Sequence, residues 1–317
     1  MPQALRTKFL ASAMLLAACG AAVAGSAVTS TKPITVTVET DIYHYAQTLL
    51  GNDDIMTFHA FDRAYCQRDV VEFILVQRAL KLGGAELNFR FATGNYDARN
   101  VRLVVDGFLL LSFDTVFLSQ ASPLADAVYI SSPMIRSSEF EAGIFVSAEN
   151  LKKLQVRRAE ELQQLSFVSS RDWPQDWQLL TELKPKQLVH EGDWISMAKM
   201  VSRGWVDAML VPFTKTPPYM YQGNGYSIYA LPNVKVAMHD SRHFIVSKKH
   251  PLGAEVFAAL QRGLAIMRQR GDIETAYQQC GFINTAVRDW TLLNPQAPAA
   301  STATPIPATA NEPATQP

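Results

Sequence analysis

The sequence lacks most of the features by which a function is usually read. It has no net charge, with 29 Lys and Arg against 29 Asp and Glu, so no global field recruits nucleic acid or anionic lipid. It contains no G-x-S-x-G, no H-E-x-x-H and no glycine-rich phosphate loop, which removes the common hydrolase, zinc-protease and nucleotide signatures. His239 and His243 are four apart around Asp240. They fall in a stretch that reads as strand and turn, so the spacing does not put them on one helical face, and no metal or other cofactor is expected. Cysteines number only three, Cys19, Cys66 and Cys280.

Long apolar runs are also missing. The most continuous one, Phe9 to Ala18, follows Arg6 and Lys8 and has the length of a signal-peptide core rather than of a membrane span. Export is expected. Leu16-Ala17-Ala18-Cys19 resembles a bacterial lipobox, which would leave lipid on Cys19, while Ala22-Val23-Ala24 offers an ordinary cleavage site; the lipobox is preferred. With Cys19 lipidated, Cys66 and Cys280 remain, either bridged in an oxidising compartment or present as two buried thiols.

What is present describes a folded chain, 48% hydrophobic and 18% charged over 317 residues, long enough for two domains. Ile34 to Glu39, ITVTVE, alternates as a strand should. It ends in Glu39, Thr40, Asp41 and Tyr43, which form either a solvated turn or a group delivered to a crevice at the sheet's carboxyl edge. Gly51 to Arg68 reads as irregular. A helix is expected from Asp69 to Gly83, a strand over Leu87 to Phe91, and a helix over Asn95 to Asp106. Phe108 to Leu118, FLLLSFDTVFL, reads as a central strand buried on both faces, with Asp114 needing a partner.

The stretch from Asp126 to Ser147 places a polar, charged insert between two strand-like runs, which form either hinge strands beside a cleft or two strands of one sheet joined by a surface loop. A second set follows: strand Leu165 to Val168, helix Trp173 to Leu183, strand Gln187 to His190, helix Ser196 to Ser202, strand Val206 to Val211. Thr214 to Gly225 reads as a loop. Strand-like runs at Val234 to Met238 and His243 to Ser247 precede a long helix, Leu252 to Arg270, and a shorter one, Ile273 to Gln279. From Asn294 the chain is Pro, Ala and Thr, a composition that cannot offset chain entropy and is expected to be disordered. The alternation of strand and helix predicts α/β sheets.

Over Ile34 to Gly281 the order of elements resembles the bacterial periplasmic solute-binding proteins of type II, the amino-acid-binding-like family 3. Ile130-Ser131-Ser132-Pro133 resembles the family's crossover string, with Met134 in place of an aromatic residue. Met197 to Leu210, MAKMVSRGWVDAML, resembles its helix, G-x-x-D-A and strand, and Phe244 to Pro251, FIVSKKHP, its return to the first lobe. The resemblance implies an α/β fold of two lobes, each a mixed sheet flanked by helices, joined by two hinge strands and closing on a ligand. The corresponding divisions are a signal peptide (1–18), a linker (19–33), a first lobe (34–142 and 239–293), a second lobe (143–238) and the tail (294–317). It implies a monomer that delivers a small solute to an ABC permease, or a sensory subunit that signals to a membrane receptor. Some proteins of this fold are periplasmic dehydratases, so Glu39, Asp41 or Asp114 as acid or base is the enzymatic alternative.

Two departures bear on the ligand. The family's carboxylate-gripping Arg is missing from Ser119 to Asp126, and its ammonium-binding Asp is replaced where Val211-Pro212-Phe213 stands; amino-acid specificity is therefore not carried over. Candidate ligand contacts are Asp41, Tyr43, Asp114, Thr115 and Arg136 from the first lobe. Ser169, Ser170 and Arg171, at a helix start that favours anions, and Trp194, as an aromatic platform, come from the second. Arg136 and Arg171 favour an anionic or zwitterionic solute.

Overall fold

The computed structural model describes residues 28–295, apart from 31, 95, 97 and 98. The expected signal peptide, Cys19 and the Pro/Ala/Thr tail beyond 295 lie outside the described residues.

The first lobe is built on strand Ile34–Glu39, which runs parallel to Phe89–Gly94 in a register from Ile34 opposite Phe89 to Glu39 opposite Gly94. Helix Arg68–Leu82 crosses beneath. It is buried at every position from Val70 to Leu80, because helix Gly253–Arg270 covers the side that a surface helix would leave to solvent. The two helices approach closely at glycines: a Cβ on Gly263 would stand 1.7 Å from the Ala79 carbonyl oxygen, and one on Gly83 1.8 Å from that of Ala259. Thr40, Asp41 and Tyr43 open a helix, Thr40–Leu50.

The expected central strand at Phe108 to Leu118 is broken. Only Val116–Phe117 is a strand, paired antiparallel with Arg242–His243, and Leu111 makes an isolated bridge to Val246. Leu109, Leu110, Leu111 and Phe113 are buried as their character requires, while Phe108 is 77% exposed. The backbone bonds to the returning segment only in places, with Ser112 N donating to Ile245 O at 3.0 Å, because side chains take the other ladder groups: Ser112 Oγ accepts from Ile245 N at 3.1 Å and the Glu72 carboxylate from Thr115 N at 2.9 Å.

Strand Val128–Ile130 pairs antiparallel with Ile245–Ser247, and from here the chain leaves the first lobe. The outgoing and returning segments are stitched together by backbone hydrogen bonds: Ser131 N to Phe244 O at 2.9 Å, Met134 N to Arg242 O at 2.8 Å, and Ser138 N to Met238 O at 2.9 Å.

The second lobe carries a mixed sheet in the order Met220–Gly223, Tyr226–Ala230, Glu141–Val146, Ala208–Pro212, Ser166–Ser169, Gln187–His190, with Val234–Ala237 also on Glu141–Val146. Apolar clusters cover both faces. The expected loop Thr214 to Gly225 holds a strand instead. Gly223 pairs with Tyr226 around Asn224-Gly225, with Gly225 at φ 83°, and Asn-Gly is the dipeptide a two-residue hairpin turn favours.

The chain crosses between the lobes a third time. The sequence reading carries the first lobe to residue 293, but Val287 and Leu293 pack in the second lobe's clusters and Thr291–Leu292 pairs with Val234 and Lys235. The buried Lys235 ammonium holds this segment by donating to the carbonyls of Val287 and Arg288, at 2.9 and 2.8 Å, and pairs with Glu141 at 2.8 Å. At its first-lobe end Cys280 is bonded to Cys66, with Cα atoms 5.4 Å apart.

Candidate functional site

Charged side chains from distant parts of the sequence converge where the lobes meet. Glu72 is wholly buried on an otherwise apolar helix face, and its carboxylate accepts from Thr115 Oγ at 2.7 Å, from Arg68 Nη1 at 3.2 Å to both oxygens, and from the Tyr277 hydroxyl at 3.3 Å. Arg68 also pairs with Asp69 in the first turn of the helix, where a carboxylate is favoured by the helix dipole.

Arg242 enters from the returning hinge segment. Its Nε donates to Thr115 Oγ at 2.9 Å and its Nη2 to the Thr115 carbonyl at 2.6 Å, and its guanidinium lies 4.2 Å from the Phe117 ring centroid. Among the described residues it has no carboxylate within ion-pair distance. Burial, followed by the neighbouring Arg68, lowers its pKa to about 10. The carboxylates Glu72, Asp69 and Asp114 only partly oppose this.

Two carboxyl groups feel the charge of these arginines. Asp114 is raised to about 6 by burial first and by the charges of Glu72 and Asp69 next, against the pull of Arg68. Asp176, on helix Pro174–Leu183 of the second lobe, is also raised to about 6, by burial, although Arg242 and Arg68 favour its charged form. The lobes are joined beside them by Gln175, which donates to Ser119 Oγ, and Ser119 Oγ in turn donates to Asp240 at 2.6 Å.

Three hollows adjoin Asp69. One of about 200 Å³ is walled by Thr37, Glu39, Arg68, Asp69, Asn100 and Asp114. A second, about 410 Å³, lies between the lobes beyond Arg68 and Asp69. The third is an open groove of about 750 Å³ along Glu39, Asp41, His44 and Tyr45. The centre brings together a partly compensated guanidinium and two carboxyls that desolvation favours in the neutral form.

The residues singled out from sequence are distributed unevenly around this centre. Asp114 and Thr115 are in it, Thr115 as the residue that holds Arg242 and Glu72 together. Asp41 is exposed along the open groove. Tyr43 packs inward, its ring 6.1 Å from Phe73 and 5.6 Å from Phe91. Arg136 lies on the hinge and pairs with Glu139 at 3.6 Å, its side chain 57% exposed.

In the second lobe, Ser169 and Ser170 are buried. Two N–H groups of the turn that precedes helix Pro174–Leu183 are already occupied: Arg171 N donates to His190 Nδ1 at 3.2 Å and Asp172 N to Ser170 Oγ at 3.1 Å. The Arg171 guanidinium lies over Trp177, 5.1 Å from its ring centroid. Trp194 meets Tyr221 and Tyr226 edge-on, at 5.6 Å each, behind the cleft wall. Among the described residues no group of His, Cys, Asp and Glu is placed to hold a metal ion.

Sequence reasoning missed Arg68, Asp69, Glu72, Asp176 and Arg242. One signal was present: Glu72 interrupts the apolar run Val70-Val71 to Val76, and a carboxylate there must be paired.

No family model matches the sequence, and no curated protein matches it. Solved structures match by fold. The probable amino-acid ABC transporter extracellular-binding protein ytmK of Bacillus subtilis aligns with TM-score 0.53 and 14% identity over 78% of this chain and 97% of that one. Substrate-binding domain 2 of GlnP from Lactococcus lactis, in an open conformation, aligns with TM-score 0.50 and 14% identity over 80% and 97%. The chain thus has the two-lobed fold of the type II periplasmic solute-binding proteins.

Proposed function

We propose that this chain binds a small zwitterionic solute in the cleft between its lobes, outside the cytoplasm, and presents it to an ABC-type permease. The observation that carries the reading is the placement of Arg242. A half-buried guanidinium without an ion-paired carboxylate carries a desolvation cost, and a solute carboxylate could supply the missing charge through bidentate hydrogen bonds. Asp114 and Asp176 lie within its electrostatic reach, and a solute ammonium would favour their ionised forms in the same way. Arg136 and Arg171, the cations that sequence favoured, have partners elsewhere. The delivery role is supported by the fold shared with ABC-transporter binding proteins, and among the described residues no helix is long and apolar enough to cross a membrane.

The test is a thermal-shift panel of small zwitterions, monoanions and monocations of similar size, since a ligand that binds only the folded state raises the midpoint. Zwitterions are expected to stabilise the protein. Arg242→Gln should weaken their binding roughly 10- to 150-fold, the equivalent of ~1.5–3 kcal/mol for charge-assisted hydrogen bonds, whereas Arg136→Ala should leave it unchanged. Stabilisation by monoanions or monocations alone would overturn the reading.

An enzymatic reading rests on Asp114, whose pKa of about 6 suits a general acid or base near neutrality. Recovery of the bound solute unchanged after prolonged incubation supports the receptor; its conversion supports the enzyme.

A further inference from the structure

We infer that the solute carries an apolar, aromatic-sized arm beside its charged groups, and that the third crossing of the chain builds the pocket for that arm. The inference rests on the zwitterion reading and adds what the charged centre alone does not specify.

The 410 Å³ hollow shares Arg68 and Asp69 with the 200 Å³ charged hollow, so the two adjoin at that ion pair. Its remaining walls differ in chemistry. From the second lobe come Pro212, Phe213 and Tyr221; from the third crossing come Cys280, in its disulfide with Cys66, and Phe282. The hollow is open and also lined by Gln67, but its volume exceeds the roughly 150 Å³ at which an enclosed apolar cavity accepts benzene, so a ring fits against these walls.

Tyr221 is held to present its ring and not its hydroxyl. The hydroxyl donates to the Pro212 carbonyl at 3.0 Å, while the ring is wedged against Phe145 and Trp194 at 5.4 and 5.6 Å. Phe282 is fixed by stacking on Phe140 of the outgoing hinge segment, 4.5 Å between centroids and 11° between planes. Rings locked in this way lose little freedom when a ligand arrives, which favours binding. The polar neighbours Thr214 and Lys215 also line the hollow, and Lys215 points its ammonium towards the Asp62 carbonyl, at 3.4 Å.

The experiment uses the full chain and titrates it by calorimetry with two zwitterions of identical charged groups, L-alanine and L-phenylalanine. L-phenylalanine is expected to bind at least tenfold more tightly, and Tyr221→Ala and Phe282→Ala should each reduce that preference several-fold, with unliganded melting midpoints recorded to confirm folding. Equal binding of the two probes, or a preference unchanged in both folded variants, overturns the inference and leaves the zwitterion reading standing. Absence of binding by either probe, while a monoanion or monocation binds, overturns both.

Discussion

Phe140 and Phe282 stack face to face, 4.5 Å between ring centroids, although one belongs to the segment leaving the first lobe and the other to the segment that leaves it for the last time. The stack joins two crossings that are 142 positions apart in sequence, and the Cys66–Cys280 disulfide stands two residues before Phe282.

That disulfide closes a loop spanning 214 positions, and cross-links over long loops restrict the unfolded chain most. Replacing both cysteines by serine should lower stability by about 2–5 kcal/mol. Urea unfolding of the variant and of the reduced wild type should show matching losses; an unchanged midpoint in both would contradict the account.

Glu72 is the anchor of the charged centre. Glu72→Ala would leave Arg68 with one carboxylate fewer and the Thr115 N–H without its acceptor, and breaking a buried ion pair typically costs about 3–5 kcal/mol. Thermal unfolding measures it, and a loss below that of an ordinary surface substitution would show that the network is not held as described.

Helix packing gives a sharper steric prediction. Gly263→Ala puts a methyl carbon 1.7 Å from the Ala79 carbonyl oxygen, so helices Arg68–Leu82 and Gly253–Arg270 must separate. Overpacking of this kind costs about 1–3 kcal/mol or more, read from the denaturant midpoint. Gly271→Ala, with open space around its Cβ but φ 76°, should act through backbone strain alone.

The carboxyls at the cleft make stability and binding respond to pH in opposite senses. Asp114 and Asp176 have folded pKa values of about 6, above the ordinary 3.8. Between about pH 4 and 6 the folded state therefore holds more protons than the unfolded one, and these groups lower the stability of the unliganded protein as pH rises. Asp114→Asn and Asp176→Asn should each flatten that slope. Zwitterion binding should instead tighten from pH 5 to 7 with release of protons, which calorimetry in buffers of different ionisation enthalpy detects; proton uptake would contradict the charge assignment.

The elements of the fold were legible where one physical rule dominates. The helix starting near Asp69 shows as an apolar stripe ended by glycines, the exit near Pro133 as a polar insert between apolar runs, and the return near Phe244 as an apolar run before a long amphipathic helix. The broken strand was not legible, because Leu109 to Phe113 are apolar whether they form a ladder or pack irregularly. Met220–Gly223 was overlooked among prolines and tyrosines, although Asn224-Gly225 marks its turn.

The site was less legible than the fold for a different reason. Arg68, Asp176 and Arg242 come from three segments far apart in sequence, and each looks like an ordinary surface charge until the lobes are assembled. Arg136 and Arg171 stood out because their local strings did, yet Glu139 and Trp177 already engage them.

Native mass spectrometry of the full chain purified from its own host, wild type beside Arg242→Gln, reads directly what occupies the cleft. A small co-purified molecule bearing both a cationic and an anionic group is expected on the wild type and not on the variant. A bound molecule with charge of one sign only, or one retained equally by both proteins, would contradict the zwitterion reading.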